Sequence, residues 1–178
     1  MQNDGFNLDD AVAVLERTPA SLSELLAGLP ERWVRATHGD GIWSPYDVID
    51  HLIHGERTNW MVRARHILAD ERRPFDPFDR TTQLTESQSP SVAELLATFA
   101  ELRRANVAAL MGMNLTSADL SRTGQHPELG EVRLGQLLAT WVVHDLNHVR
   151  QIVQTMAQVY ADAVGPWRAY LSILQDGE

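Results

Sequence analysis

The sequence predicts an all-α protein: one domain over residues 1–178, built as an up-and-down-type bundle of four long helices. Three observations lead there. Apolar residues recur at helical spacing over four long stretches. Capping residues or prolines mark most of their ends. The Val, Ile and Thr residues form no alternating runs bounded by turns, so no strand is expected.

The first helix is expected from about Leu8 to Leu29, with Asn7 as N-cap and Asp9 and Asp10 in the first turn, where carboxylates suit the helix dipole. Pro19 inside it is a kink site, and Pro30 closes it. The second opens at "WSPYD", with Ser44 as N-cap, Pro45 at the first helical position and Asp47 completing a capping box, and continues to about Asp70. The third begins at "SPSVAELL", capped by Ser89 or Ser91, and runs to about Met111. Within it, "RRANVAALMGM" reads as an amphipathic helix with a solvated charged end. The fourth runs from near Arg133 to about Asp162, and a short C-terminal helix from Pro166 to Gln175 follows Gly165. Two long connections separate these helices. "DERRPFDPFDRTTQLTESQS" is expected as a loop in which Phe75 and Phe78 pack on something, and "TSADLSRTGQHPELGEV" as a short turn plus a Gly- and Pro-containing link.

Composition narrows the function. The chain has 15 basic and 24 acidic residues, a net charge of −9, which argues against nucleic acid or an anionic membrane as partner. No apolar run reaches bilayer length, and "MQNDGFNLDD" has no signal-peptide pattern, so the expected location is the cytoplasm. With no Cys, there is no disulfide, no Cys-type zinc site and no thiol nucleophile in the chain itself. Any thiol chemistry would need a thiol brought by another molecule.

The 7 His residues carry most of the remaining information. In the fourth helix, Leu134, Leu137, Leu138, Trp141, Ile152, Met156 and Val159 define an apolar stripe. His148 falls within it, His144 at its edge, and Asp145 points toward it. Imidazoles four residues apart lie one turn above the other and can share one metal. Asp145 and Asn147 could orient them as outer partners. The competing reading is two core histidines, although burying three polar groups together is costly unless each finds a partner. A catalytic metal usually takes three protein ligands. Candidates for the third are His51 and His54 in "DHLIHGER", His66 further along the second helix, and His126, which reads as a surface residue on a loop. Periodicity does not decide between His51 and His54. Among the Trp residues, Trp43 and Trp141 are the two that could line a site.

Three segments together resemble the DinB-like superfamily of bacterial four-helix proteins, the group containing the YfiT-like metal-dependent hydrolases. "WSPYDVIDHLIHGE" is similar to the family's Trp-Ser opening followed by His-Leu-x₃-Glu. "TGQHPELGEVRLGQLLATWVVHDLNHVRQI" is similar to its Gly-containing turn and fourth helix with His-Asp-x₂-His, and "GPWRAYLSIL" to its C-terminal helix. The resemblance implies an up-down-down-up helix order with a long crossover, and a homodimer. It implies a divalent metal, nickel or zinc with iron as a further option, held at one end of the bundle by His51, His144 and His148. Asp145 then orients an imidazole without touching the metal, and Glu56, on the other side of the helix from His51, is structural. The activity implied is that of a metal-dependent enzyme on a small-molecule substrate. It is either hydrolase-like or thiol-S-transferase-like, the latter with a low-molecular-weight thiol cosubstrate. The alternative is a non-enzymatic bundle in which the histidines or a metal hold helices together or sense a ligand. A closed metal shell with no adjacent cavity would favour that alternative.

Overall fold

Four helical rods follow from the capping signals, and the computed structural model describes residues 5–39, 41–78 and 90–175. The first rod is two helices, α1 (Leu8–Leu15) and α2 (Thr18–Leu26), with a short α3 (Glu31–Val34) after it. Asn7 caps α1 by accepting from the Asp10 backbone N–H at 3.1 Å. The expected continuous helix to Leu29 is broken after Leu15, because Pro19 sits in the first turn of a new helix, where its missing N–H is harmless.

The second rod is α4 (Pro45–Thr58) followed by α5 (Trp60–Leu68). Ser44 and Asp47 form the capping box: the Ser44 N–H donates to Asp47 Oδ2 at 2.9 Å, and Asp47 N–H to Ser44 Oγ at 3.2 Å. The rod is interrupted at Asn59, whose φ of −113° and ψ of −76° lie off helical values. The third rod is α6 (Val92–Gly112), capped by Ser91 with Glu94 as its box partner. Ser89, the other expected cap, lies outside the described residues, as does the 79–89 part of the preceding connection. After α7 (Ser117–Leu120) comes the fourth rod, α8 (Leu134–Gln158), about one turn shorter than expected at its C-terminal end. The C-terminal helix resolves into two 3₁₀ turns, Gly165–Tyr170 and Ser172–Leu174, separated at Leu171, whose backbone (φ −109°, ψ 89°) is not helical.

One element was not expected. β1 (Thr123–His126) and β2 (Gly130–Arg133) form an antiparallel hairpin, with Thr123 paired to Arg133 and His126 to Gly130. "TGQH" and "GEVR" are too short to show alternation and contain a single β-branched residue each, so no period-2 signal exists. Gly130 closes the turn with φ +74°. The hairpin docks on α5: Phe75 N–H donates to Gln125 O at 2.9 Å, and a Cβ at Gly124 would stand 2.8 Å from both Ile67 Cγ1 and Phe75 Cζ. Both neighbours are buried. A Gly124→Ala variant should therefore lose about 1–3 kcal/mol by overpacking, read from chemical denaturation. An unchanged midpoint would show that the hairpin is not held in this close contact.

The rod directions come from what meets what. Tyr46 Oη donates to Pro90 O at 3.0 Å, and Glu56 meets Arg103 and Asn106, so the second and third rods run parallel. The His51 ring lies 4.8 Å from that of His148 and Trp60 stacks on Trp141, so the second and fourth run antiparallel. Val12 and Leu15 pack with Trp60, Val107 and Leu137, whereas Leu22 and Leu26 pack with Val48, Leu95 and Ile152. The first rod is thus parallel to the fourth and antiparallel to the others. The order is up-down-down-up, and the connection from α5 back to α6 must travel the bundle's length, about 30 Å. No helix of the described residues is long and apolar enough to cross a membrane.

The core falls into two apolar clusters. Between them lies a buried ionic layer. Arg103, 1 % exposed, donates from Nε and Nη2 to Glu56 Oε1 at 3.0 and 2.8 Å, and from Nη1 and Nη2 to the two Asp145 oxygens at 2.5 and 2.9 Å. It also donates to Leu15 O at 2.9 Å, so all four rods meet on one guanidinium. Trp141 Nε1 and Asn106 Nδ2 complete Glu56, at 3.0 and 2.9 Å. Burial alone would lower the Arg103 pKa, but Asp145 and then Glu56 outweigh it and hold the group above its ordinary value.

Candidate metal centre

Three imidazoles converge directly beside this ionic layer. His51 is on α4, two turns in from the Ser44 cap, and His144 and His148 lie on successive turns of α8. The Nε2 atom of His144 is 3.2 Å from that of His51 and 3.1 Å from that of His148. One nitrogen from each of the three lies within 4.8 Å of the others. Nitrogens about 2.1 Å from a single cation stand about 3.0–3.4 Å apart at octahedral to tetrahedral angles. Both His144 separations fall in that range, and with the third pair also within 4.8 Å the donor set suits one metal ion.

The protonation pattern fits as well. His148 Nδ1 faces Gln151 Oε1 at 2.8 Å, and an oxygen there places the ring proton on Nδ1 and leaves the Nε2 lone pair directed at the cluster. Burial lowers the His148 pKa, against the opposing effects of its hydrogen bond to Gln151 and the charge of Asp145. The His144 imidazole is pushed down to about 3, by burial first and then by His148, His51 and Arg103. A neutral ring is what ligation needs. A shared cation would take the lone pair of each ring at once.

The lowered His144 pKa has a consequence for stability. In the unfolded chain this residue takes up a proton near pH 6.5. In the folded chain it does so only near pH 3. The unfolded state therefore binds more protons between those values, and stability rises with pH across the window. Metal-free protein should lose stability as pH falls below about 6.5, by up to about 1.4 kcal/mol per pH unit from this residue. Urea midpoints measured from pH 7 to 5 check this, and His144→Leu should flatten the slope. An unchanged slope in that variant would contradict it.

A cavity of about 360 Å³ opens beside the three imidazoles. Trp43, just before the α4 cap, forms one wall, its ring 4.7 Å from His51 and stacked 6.2 Å from His148. Phe78 sits edge-on to His51 at 5.6 Å. Asn59, Arg63 and the hairpin residues His126, Pro127 and Glu128 line the rest. Of the two tryptophans expected at a site, Trp43 is there, whereas Trp141 is fully buried on Glu56.

Several expectations need correction. Asp145 forms no hydrogen bond to an imidazole: both of its oxygens accept from Arg103, because the α8 stripe turns it into the core layer. The outer partner of His148 is Gln151, three residues on and in reach on the same face. Asn147 is exposed. Arg103, expected on a solvated helix end, is among the most buried side chains of the chain. Its register after Leu96 and Phe99 and before Val107 and Leu110 carries that signal. His54 lies outside the cluster, with Thr58 Oγ1 near its ring and donating to its carbonyl. His66 is buried, its Nε2 2.9 Å from Arg73 O. His126 is part of the cavity wall rather than a surface loop, and its Nδ1 accepts from the Glu128 and Leu129 N–H groups at 3.1 and 3.2 Å.

Residues 14–152 match the family model of the DinB superfamily. Relatives of similar length include two Bacillus proteins that carry the name "Putative metal-dependent hydrolase", one from Bacillus cereus and one from Bacillus thuringiensis subsp. konkukian. Each is 22% identical over 147 residues, covering 82% of this chain and 83% of the relative. Among solved structures, the fold is similar to that of YfiT from Bacillus subtilis, described as "a probable metal-dependent hydrolase with an unusual four-helix bundle topology". That match has a TM-score of 0.75 at 22% identity and covers 89% of this chain and 92% of YfiT.

Proposed function

The chain belongs to the DinB superfamily, and on that premise we propose that it is a metal-dependent enzyme of hydrolase type, acting on a small molecule in the cavity beside His51, His144 and His148. The observation that carries this reading is the convergence of three ring nitrogens on one point at the wall of an open cavity. A closed structural site has no such adjacent space, which favours catalysis over a purely structural metal. Imidazole donors suit zinc or nickel, with iron a further option. When bound, the cation supplies Lewis acidity toward a substrate oxygen or a water. The chain's own contribution is to hold three imidazoles in place. Burial keeps His144 unprotonated, Gln151 orients His148, and the Arg103 layer anchors α8 against α4. Trp43 and Phe78 narrow the approach of bulk water.

Transfer of a low-molecular-weight thiol is a second reading, favoured by one observation: the chain has no Cys, so sulfur would arrive with a cosubstrate. One experiment separates the two. Untagged protein, stripped by chelator and reloaded with zinc or nickel, is assayed on a panel of esters and amides, and in parallel on thiol plus electrophile. Metal-dependent hydrolysis without thiol supports the first reading, and metal-dependent conjugation supports the second. No metal-dependent turnover in either arm contradicts both.

A further inference from the structure

The face of the second rod that carries His51 continues, at four-residue steps, through Gly55, Asn59 and Arg63. His51, Asn59 and Arg63 all line the same cavity. Asn59 is 7 % exposed, and its Oδ1 is buried without a hydrogen-bond partner. An orphaned buried amide oxygen is a standing cost that few native positions tolerate. It sits where the helix breaks between α4 and α5.

One turn on, Arg63 is half-buried, and among the described residues no carboxylate lies within ion-pair distance of it. Its guanidinium lies over the Phe75 ring at 5.2 Å and donates one hydrogen bond, from Nη2 to the Asp76 carbonyl at 3.3 Å. Burial lowers its pKa, the direction expected of a cation without a counter-charge. Arg63 also borders a second cavity of about 290 Å³, which shares Pro77 and Phe78 with the first. In a chain of net charge −9, a guanidinium held in a cavity wall without a carboxylate is a selective feature. Glu128, in the hairpin turn, also lines the cavity and forms no ion pair with it among the described residues.

We infer that Asn59 and Arg63 are the recognition pair of this site, and that its substrate is a small molecule carrying an oxyanion group, carboxylate or phosphate, next to a hydrogen-bond donor. Arg63 takes the oxyanion through its planar N–H fork. Asn59 Oδ1 accepts from the neighbouring donor. The reactive bond then lies toward His51, about two turns back from Asn59 and three from Arg63 along the rod. This rests on the proposed function for the location of the chemistry, but recognition itself does not require the metal.

The test is an NMR titration of the protein, zinc-loaded and chelator-treated, with three probes: N-acetylglycine, its neutral amide N-acetylglycinamide, and inorganic phosphate. N-acetylglycine should bind wild type at least tenfold more tightly than the neutral amide does. Arg63→Gln should weaken it at least tenfold with zinc content unchanged, and Arg63→Lys should restore part of the loss. Phosphate binding tighter than N-acetylglycine assigns the oxyanion as phosphate, and the reverse assigns it as carboxylate. Asn59→Leu should weaken N-acetylglycine while leaving the melting temperature unchanged or raised, since it removes an unpaired buried oxygen. A merely structural Asn59 would instead lower the melting temperature and leave affinity alone. Oxyanion binding that survives in zinc-free protein while zinc fails to bind would overturn the metal reading and leave this inference standing. Absence of oxyanion binding to wild type, or equal affinity in Arg63→Gln, overturns the inference itself.

Discussion

Replacing His144 with alanine is expected to abolish stoichiometric metal binding. His144 is the middle member of the cluster: its Nε2 is the atom that both His51 and His148 approach, at 3.2 and 3.1 Å. Its removal leaves two imidazoles on different helices with no third donor between them. Losing a partner that only orients a ligand weakens metal binding about ten- to a hundredfold. Losing the central ligand should exceed that, so affinity should fall more than about a hundredfold. Gln151→Ala, which frees the His148 ring without removing a ligand, should fall within the smaller range. His54→Ala and His126→Ala should leave metal content intact, because neither residue belongs to the cluster. Elemental analysis of untagged protein after reconstitution reads all four. Unchanged metal in His144→Ala, or loss in His54→Ala, would place the site elsewhere.

The largest expected loss of stability comes from Arg103→Met. The substitution keeps most of the side-chain volume and removes the charge between Glu56 and Asp145. Two buried carboxylates would then face each other without a cation, and the Leu15 carbonyl would lose a donor. Breaking a buried pair by deleting one partner typically costs about 3–5 kcal/mol. Surface ion pairs of this chain, such as Arg35 with Glu31, should cost less than about 1 kcal/mol when cut. Urea denaturation of both variants makes the comparison. A loss below about 1 kcal/mol for Arg103→Met would show that the layer is solvated or its carboxylates protonated. Replacing all three members with apolar residues should be far milder than the single change, because no charge is left stranded.

The two effects meet at neighbouring positions on α8. Asp145 faces the ionic layer and His144 the cavity, so one turn of helix serves packing on one side and ligation on the other. This division explains which parts of the molecule the sequence disclosed. The rods were legible because Asn7, Ser44 and Ser91 are caps at the head of apolar periodic runs, and such signals are local. The juxtaposition of His144 and His148 was legible for the same reason, since a four-residue step is fixed by the helix itself. Placing His51 beside them needed the resemblance, because no local rule chooses between His51 and His54 across two helices.

What stayed hidden depends on tertiary contact. Arg103 occupies a core register, yet an arginine there reads as a solvated helix end until Glu56 and Asp145 are known to converge on it. Asp145 was assigned to an imidazole because it adjoins one in sequence, but its carboxylate turns to the guanidinium. Gln151 gave no signal beyond its spacing. The hairpin at Thr123–Arg133 is held by docking on Phe75 and Ile67 rather than by β-propensity, and it is what brings His126 and Glu128 into the cavity wall.

The central claim is that three imidazoles hold one divalent metal at the wall of an open cavity. Anomalous diffraction from crystals of zinc- or nickel-reconstituted protein, collected above and below the metal absorption edge, tests it most directly. The account predicts one strong peak about 2.1 Å from the Nε2 atoms of His51, His144 and His148, with no fourth protein ligand. A peak coordinated elsewhere, a shell closed by a fourth protein ligand, or no peak at these nitrogens would contradict it.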